Sequence, residues 1–493
     1  MCCYTNQSEW GEIKYMLMPF LITADLIFMG LAFVLLKESL KEQEKRATLF
    51  GISGVVLALL IGSLILFVPD IRTVLALILG TGAVICLLCL IPWKQNKHAL
   101  AGTSGYVVDE VTRFHEADSV FARSRLTPMR SDVYEKYYQN RPEQEERDQI
   151  RRKKGILGNI GSIDGGYQSN VAVMISSDEI PDMLGIYADS KPSENCRPAK
   201  ISTEKATQVI KGYSKKLGAD MVGICKTNSN WVYSNRGEIF DGNWDNWGKE
   251  IADIPHYAIV FLLEMDHDQV QGAPHTPIAS ESTINYGKGT FISTILARWI
   301  AQMGYRGVAQ HSRHYDVILP PLAVDAGLGE IGRNGYLIAP KYGARVRAFA
   351  VLTDMPLIPD KPISLGVEEF CKKCLKCADA CPSRSIPTGE MTVSRGVRKW
   401  KLNEEACYDY WARVGTDCGI CMAICPFSRP NNNFHKMIRW VVAYSPIAKA
   451  LFPYIDNLIY GKKWRSRHVP DWISFPKRSE AEDFPKYSTD IKY

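Results

Sequence analysis

Phe370-Cys-Lys-Lys-Cys-Leu-Lys-Cys-Ala-Asp-Ala-Cys-Pro382 places cysteines at 371, 374, 377 and 381, followed by proline. A second set follows at Cys407, Cys418, Cys421 and Cys425, again closed by proline, Pro426. Three thiolates two residues apart on a tight loop reach three corners of a [4Fe–4S] cube, and the fourth cysteine points to a second cube. Eight cysteines then supply two cubes with crossed last ligands. One would use Cys371, Cys374, Cys377 and Cys425, the other Cys381, Cys407, Cys418 and Cys421. Two zinc sites would consume as many cysteines, yet nothing about zinc calls for Cys-Pro at the end of both sets.

The rest of the chain surrounds this electron relay. Its 493 residues suggest several domains, and a formal charge of +6 argues against binding nucleic acid through phosphate contacts. Eight of the 14 cysteines crowd between 371 and 425, unlike a secreted disulfide scaffold. A small secreted protein, a repeat solenoid and a purely soluble single-domain enzyme are excluded. Three apolar runs open the sequence, at about 16–36, 49–68 and 74–92, and Asp25 is their one charge. Each is long enough to cross about 30 Å of hydrocarbon as a helix. No basic n-region or A-x-A site marks a secretory signal. Lys37, Lys41, Lys45 and Arg46 lie between the first two runs, and Lys94 and Lys97 follow the third. By the positive-inside rule this multi-pass cell-membrane anchor, residues 1–97, delivers everything after it to the cytoplasmic side. Asp25, costing about 2.5–3.5 kcal/mol at mid-membrane, reads as a proton or quinone-headgroup site or as a protonated packing residue.

Residues 98–195 are polar and irregular, a linker and extension wrapping the domain that follows. Within 196–365, Thr203–Leu217 and Thr290–Met303 have helical periodicity, while Ala219–Cys225, His256–Leu263 and Arg345–Thr353 read as strands. A layered domain with a core follows. Gly327-Leu-Gly-Glu-Ile-Gly332 matches a dinucleotide fingerprint, but Pro320-Pro321 precede it and Arg333-Asn-Gly335 prolong the turn where a helix should start. A tight loop approaching another cofactor or domain fits better. Two cubes carry single electrons but do little substrate chemistry, so a further redox centre is expected in this domain.

Three stretches, AIVFLLEMD from Ala258, AVDAGLGEIGRNGYLIAPKYGARVR from Ala323 and VLTDMPLIPDKPISLGVEEFC from Val351, lead in order into the cysteine sets. Together they resemble the catalytic subunit of reductive dehalogenases, corrinoid and iron–sulfur enzymes related to epoxyqueuosine reductase. The resemblance implies an α+β chain. Behind the three-helix anchor would come a nitroreductase-like α/β core at 196–365 holding base-off cobalamin. A bacterial-ferredoxin-like 2×[4Fe–4S] domain at 366–430 and an extension at 431–493 would complete it. It also implies that electrons pass through both cubes to cobalt, with the cube of Cys381 facing it, and that an organohalide loses its halogen. Tyr286 would donate the proton and Arg347 assist, an arginine beside a phenol favouring phenolate. Ser312 or His314, in His311-Ser-Arg-His-Tyr-Asp316, would replace the family's usual asparagine, and both, with Gly327, Gly329 and Arg333, are the candidate cofactor contacts. The family's twin-arginine leader is absent and three spans stand in its place, so anchor and catalytic subunit share one chain. The expected donor is a quinol or a reduced ferredoxin or flavodoxin, and a homodimer stays open. Two rivals remain, an epoxyqueuosine-type reductase and a membrane electron-transfer protein without corrinoid.

Overall fold

The computed structural model describes residues 5–93, 95–128, 131–159, 162–194, 196–240, 244–467 and 473. Lys94, the boundary residue Asn195 and most of the C-terminal extension beyond 467 lie outside the described residues. The chain forms two compact units, one of residues 1–96, 365–374 and 430–463, the other of 97–364, 375–429 and 464–493.

In the first unit, helices α1 (Thr5–Lys41), α2 (Lys45–Phe67) and α3 (Arg72–Leu90) contain three stretches long and apolar enough to cross a membrane. Small residues on α2 let α1 approach closely. A Cβ on Gly51 would lie 2.7 Å from Leu36 Cα, and one on Gly54 2.9 Å from Ala32 Cβ. Such small-residue seams are how helices pack where lipid removes the hydrophobic drive. Asp25 is buried on α1 with Gly62 of α2 opposite, where a Cβ would stand 3.0 Å from its carboxylate. Three later helices complete the unit: α4 (Val367–Cys374), α5 (Asn433–Tyr444) and α6 (Pro446–Tyr460).

The second unit is built on an antiparallel five-stranded sheet in the order β1-β4-β7-β3-β2. Its strands are β1 (Asp189–Ser190), β2 (Met221–Lys226), β3 (Tyr257–Glu264), β4 (Gly307–Gln310) and β7 (Val346–Thr353). Both faces of β3 are covered, which is why its sequence is apolar without alternation. Ala258, Val260 and Leu262 pack with Leu322 and Ala323 of the helix Leu319–Asp325, and Ile259, Phe261 and Leu263 with Ile292 and Leu296 of the long helix Thr276–Gln302. That long helix begins 14 residues before the periodic run at Thr290. Its first half is rich in Ser, Thr, Asn and Gly, poor helix formers whose side chains are nonetheless buried. Pro277 starts it, at a position where a missing N–H does no harm. The 98–195 region is folded onto this body, and Asp164 binds His275 Nδ1 at 2.9 Å and Thr276 Oγ1 at 2.9 Å at the start of the long helix.

Gly289 lies three residues beyond Tyr286, and a Cβ there would sit 2.2 Å from Phe349 Cζ. Gly289→Ala is expected to cost about 1–3 kcal/mol by overpacking, read as a lowered denaturation midpoint. The Asp164 bond holds His275 above its ordinary imidazole value. Its stabilisation is therefore complete below about pH 6.5 and lost as pH rises through the folded value. His275→Gln should remove that slope from denaturation midpoints measured between about pH 5 and 8.

Candidate functional site

The register of β7 sets Arg347 on the same side as Phe349 and Val351, against the long helix. Tyr286 descends from that helix, its ring edge-on to Phe349 at 6.4 Å. The Arg347 guanidinium lies over the Tyr286 ring, 5.2 Å from its centroid. The structure thus brings together Tyr286 and Arg347, 61 positions apart in the chain. The same guanidinium donates to Asp417 Oδ2 at 2.8 Å and to the Ser282 hydroxyl. Ser282 Oγ donates to that carboxylate oxygen at 2.5 Å, closing a three-membered knot. Burial opposes the charge on Arg347, but Tyr286 and Asp417 outweigh it and hold the guanidinium protonated. Burial likewise pushes Asp417 up, with Arg347 pulling it back.

Asp417 and Ser282 were not singled out from sequence, although both left a signal. Ser282 precedes Tyr286 by four residues and so shares its helix face. Asp417 immediately precedes Cys418.

That adjacency joins the knot to the cysteines. Cys381, Cys407, Cys418 and Cys421 line one hollow together with Tyr336, Tyr410, Trp411 and Asp417. Left-handed backbone at Cys418 (φ 61°) and Gly419 (φ 68°) turns the loop around it. Among the described residues, no three of His, Cys, Asp and Glu close on a single ion. Burial pushes the Cys407 thiol up to about 11 and that of Cys418 up to about 12. Buried thiols of this kind ionise only when a metal supplies the opposing charge, and the donor set and the hollow fit an iron–sulfur cube. Of the other set, Cys377 and Cys425 belong to this second unit, and Cys371 and Cys374 lie on α4 of the first.

β4 pairs with β7 up to Gln310, opposite Ala350, and the loop from His311 to Asp316 follows. His311 is buried with Nε2 lacking a partner in the chain, as does the buried Ser312 Oγ. Burial, with His314 and Arg313 nearby, pushes His311 down to about 3, so it is neutral at ordinary pH. His314 Nε2 stands 3.5 Å from Asp316, and Arg313 is clamped by Asp178 at 2.9 Å and by Asp182.

The glycine-rich candidates have other engagements. A Cβ on Gly327 would meet Lys361 O at 2.4 Å and one on Gly329 would meet Ile338 O at 2.3 Å, so both admit the chain's own backbone. A short hairpin, β5 (Glu330–Ile331) with β6 (Leu337–Ile338), follows them where a dinucleotide site needs a helix. Arg333 is buried, donates to Pro387 O at 2.8 Å and Gly389 O at 2.7 Å, and stacks on Trp400.

Residues 370–428 match the 4Fe-4S dicluster domain. A tetrachloroethene reductive dehalogenase of Sulfurospirillum multivorans is 31% identical over 314 residues, covering 57% of this chain and 61% of that protein. The chain thus spans under two thirds of that relative's length. Among solved structures, the N-terminally tagged catabolic reductive dehalogenase NpRdhA superposes with a TM-score of 0.58 at 25% identity, covering 76% of this chain and 51% of that one. An epoxyqueuosine reductase of Lactococcus garvieae matches over 130 residues at 26% identity, 23% of this chain and 33% of that protein. The chain is a relative of the reductive dehalogenases, superposes in fold on one of them and itself matches a 4Fe-4S dicluster domain, and epoxyqueuosine reductase is a more distant relative.

Proposed function

We propose that this chain is a membrane-anchored, corrinoid-dependent reductive dehalogenase fed through two [4Fe–4S] clusters. One observation carries the reading: Arg347 lies over the Tyr286 ring and is bonded to Asp417, the residue before Cys418 in the cysteine-lined hollow. A proton donor and an electron port thereby meet in one knot of side chains. Tyr286 holds the proton delivered to carbon at its hydroxyl, and Arg347, fixed by Asp417 and Ser282, stabilises the phenolate left behind. A corrinoid, when bound in the nitroreductase-like core, supplies the very low-potential cobalt that breaking a carbon–halogen bond requires. His311 Nε2 and Ser312 Oγ, buried without partners, are the kind of atoms a polar-edged macrocycle satisfies, and Ser312 and His314 are the contacts we assign to it. The eight cysteines hold the two cubes, and α1–α3 anchor the chain in the cell membrane with its catalytic body on the cytoplasmic side.

Protein purified without oxygen and reconstituted with cobalamin should hold about eight irons and one cobalt and release chloride or bromide from an organohalide. Iron without cobalt would leave an electron relay, and cobalt with turnover of an epoxyqueuosine tRNA but no halide release would favour the other reductase. Tyr286→Phe should lower halide release by about 10²- to 10⁴-fold while iron and cobalt contents stay unchanged. Full activity in that variant would remove Tyr286 from the mechanism.

A further inference from the structure

Helices α5 and α6 pack at one end of the three-helix bundle. His435 Nε2 meets Glu42 Oε1 at 2.7 Å at the end of α1, and Asn432 Nδ2 meets Glu38 Oε2 at 3.0 Å. Arg46, opening α2, donates from Nε to Leu458 O at 2.9 Å. The backbone of Trp93, just past α3, donates to Tyr444 O at 3.0 Å. These contacts gather the C-terminal end of α1, the N-terminal end of α2 and the C-terminal end of α3, which is one edge of the spans.

Both helices leave an apolar stripe uncovered at that edge. Met437 and Trp440 are exposed on α5, and Leu451, Tyr454, Ile455 and Leu458 on α6. Spacings of three, four and seven residues put each set on one helical face. The opposite faces are spoken for: His435, Arg439, Val442, Lys449 and Pro453 are buried. Lys41, Lys45 and Arg46 lie in the turn at this edge, and Lys462 and Lys463 directly follow α6. Apolar stripe, interfacial Trp and Tyr, and flanking lysines together match a helix lying in the headgroup layer of an anionic leaflet.

We infer that α5 and α6 form a monotopic platform, its stripe from Met437 to Leu458 seated in the leaflet that the ends of α1–α3 enter. This rests on the reading of α1–α3 as membrane spans. The continuity of the stripe with those helix ends selects lipid over a protein partner. The platform also bears α4, the helix of Cys371 and Cys374: a Cβ on Gly366 would lie 2.4 Å from Lys449 Cε and 3.0 Å from Val442 O. Two cluster cysteines are thereby held on the membrane side of their unit.

The full-length holoprotein, placed in nanodiscs of phosphatidylcholine and phosphatidylglycerol doped with an acyl-chain diazirine phospholipid, tests this after irradiation and tryptic mass spectrometry. Lipid adducts are expected on the peptide Ala450–Lys462 as well as on peptides from α1–α3. Adducts on the span peptides alone would overturn the platform and leave the anchor standing. Adducts on neither would overturn both. The triple variant Leu451→Asp, Tyr454→Asp, Leu458→Asp should lose the adducts at Ala450–Lys462 and keep those of the spans. Should that variant fail to fold, quenching by bromo-lipid serves instead: Trp440→Phe is expected to reduce the quenched share of fluorescence, and no reduction counts against the platform.

Discussion

The ion pair between Arg347 and Asp417 is the constraint on which the candidate site depends. Both groups are nearly enclosed, their side chains 13% and 11% exposed, and such a pair is tolerated only where each charge finds hydrogen bonds as well as its opposite. Ser282 supplies the extra bond to the carboxylate, and the guanidinium face is left to Tyr286. Removing one partner of such a pair strands the other charge, at a cost of about 3–5 kcal/mol. The pair also fixes relationships that lie far apart in sequence. It ties the central strand β7 to the loop of Cys418, and it ties that loop to the long helix.

The sheet makes this reach possible. In an antiparallel strand alternate residues share a face, so Phe349 and Val351 bury the face that Arg347 ends. Arginine replaces an apolar residue where the strand leaves the core, next to a helix turn opened by Gly289. Phe349 fills the space a side chain on Gly289 would take, and Tyr286 rests edge-on against it. The position of the phenol is thus a packing outcome as much as a polar one. It depends on one aromatic ring and one absent Cβ.

Much of this was legible in the sequence, for reasons that differ by region. The cysteine sets were plain because cube geometry dictates ligand spacing within a short loop. The three apolar helices were plain because each is a run of about 20 apolar residues, the length a bilayer would require. Strand β3 was legible as a strand since a fully buried strand is apolar throughout. The long helix was half hidden: its first half, TPIASESTINYGKGT, has no apolar periodicity and few good helix formers, and tertiary packing makes it helical. Asp417 was hidden for a different reason. A carboxylate beside a cysteine has no meaning until the fold brings Arg347 to it.

The division of the chain shows where local pattern gives way to topology. Residues 366–430 read as one module from their spacing, yet α4 belongs to the unit of the three apolar helices and residues 375–429 to that of the sheet. Nothing in the cysteine spacing foretells this, because ligand spacing responds to the cube and not to what lies behind each ligand. What does foretell it is the amphipathic character of α4 and of the segment 433–460. Val367 and Phe370 are buried on one side of α4 while Lys372 and Lys373 stand clear. A helix of eight residues cannot hold its shape alone, so its apolar side must find a neighbour. In the first unit that neighbour is α6, whose own inner face is closed by Ala448 and Lys449. The cysteines on α4, Cys371 and Cys374, are therefore placed by hydrophobic packing that the cysteine motif itself does not contain.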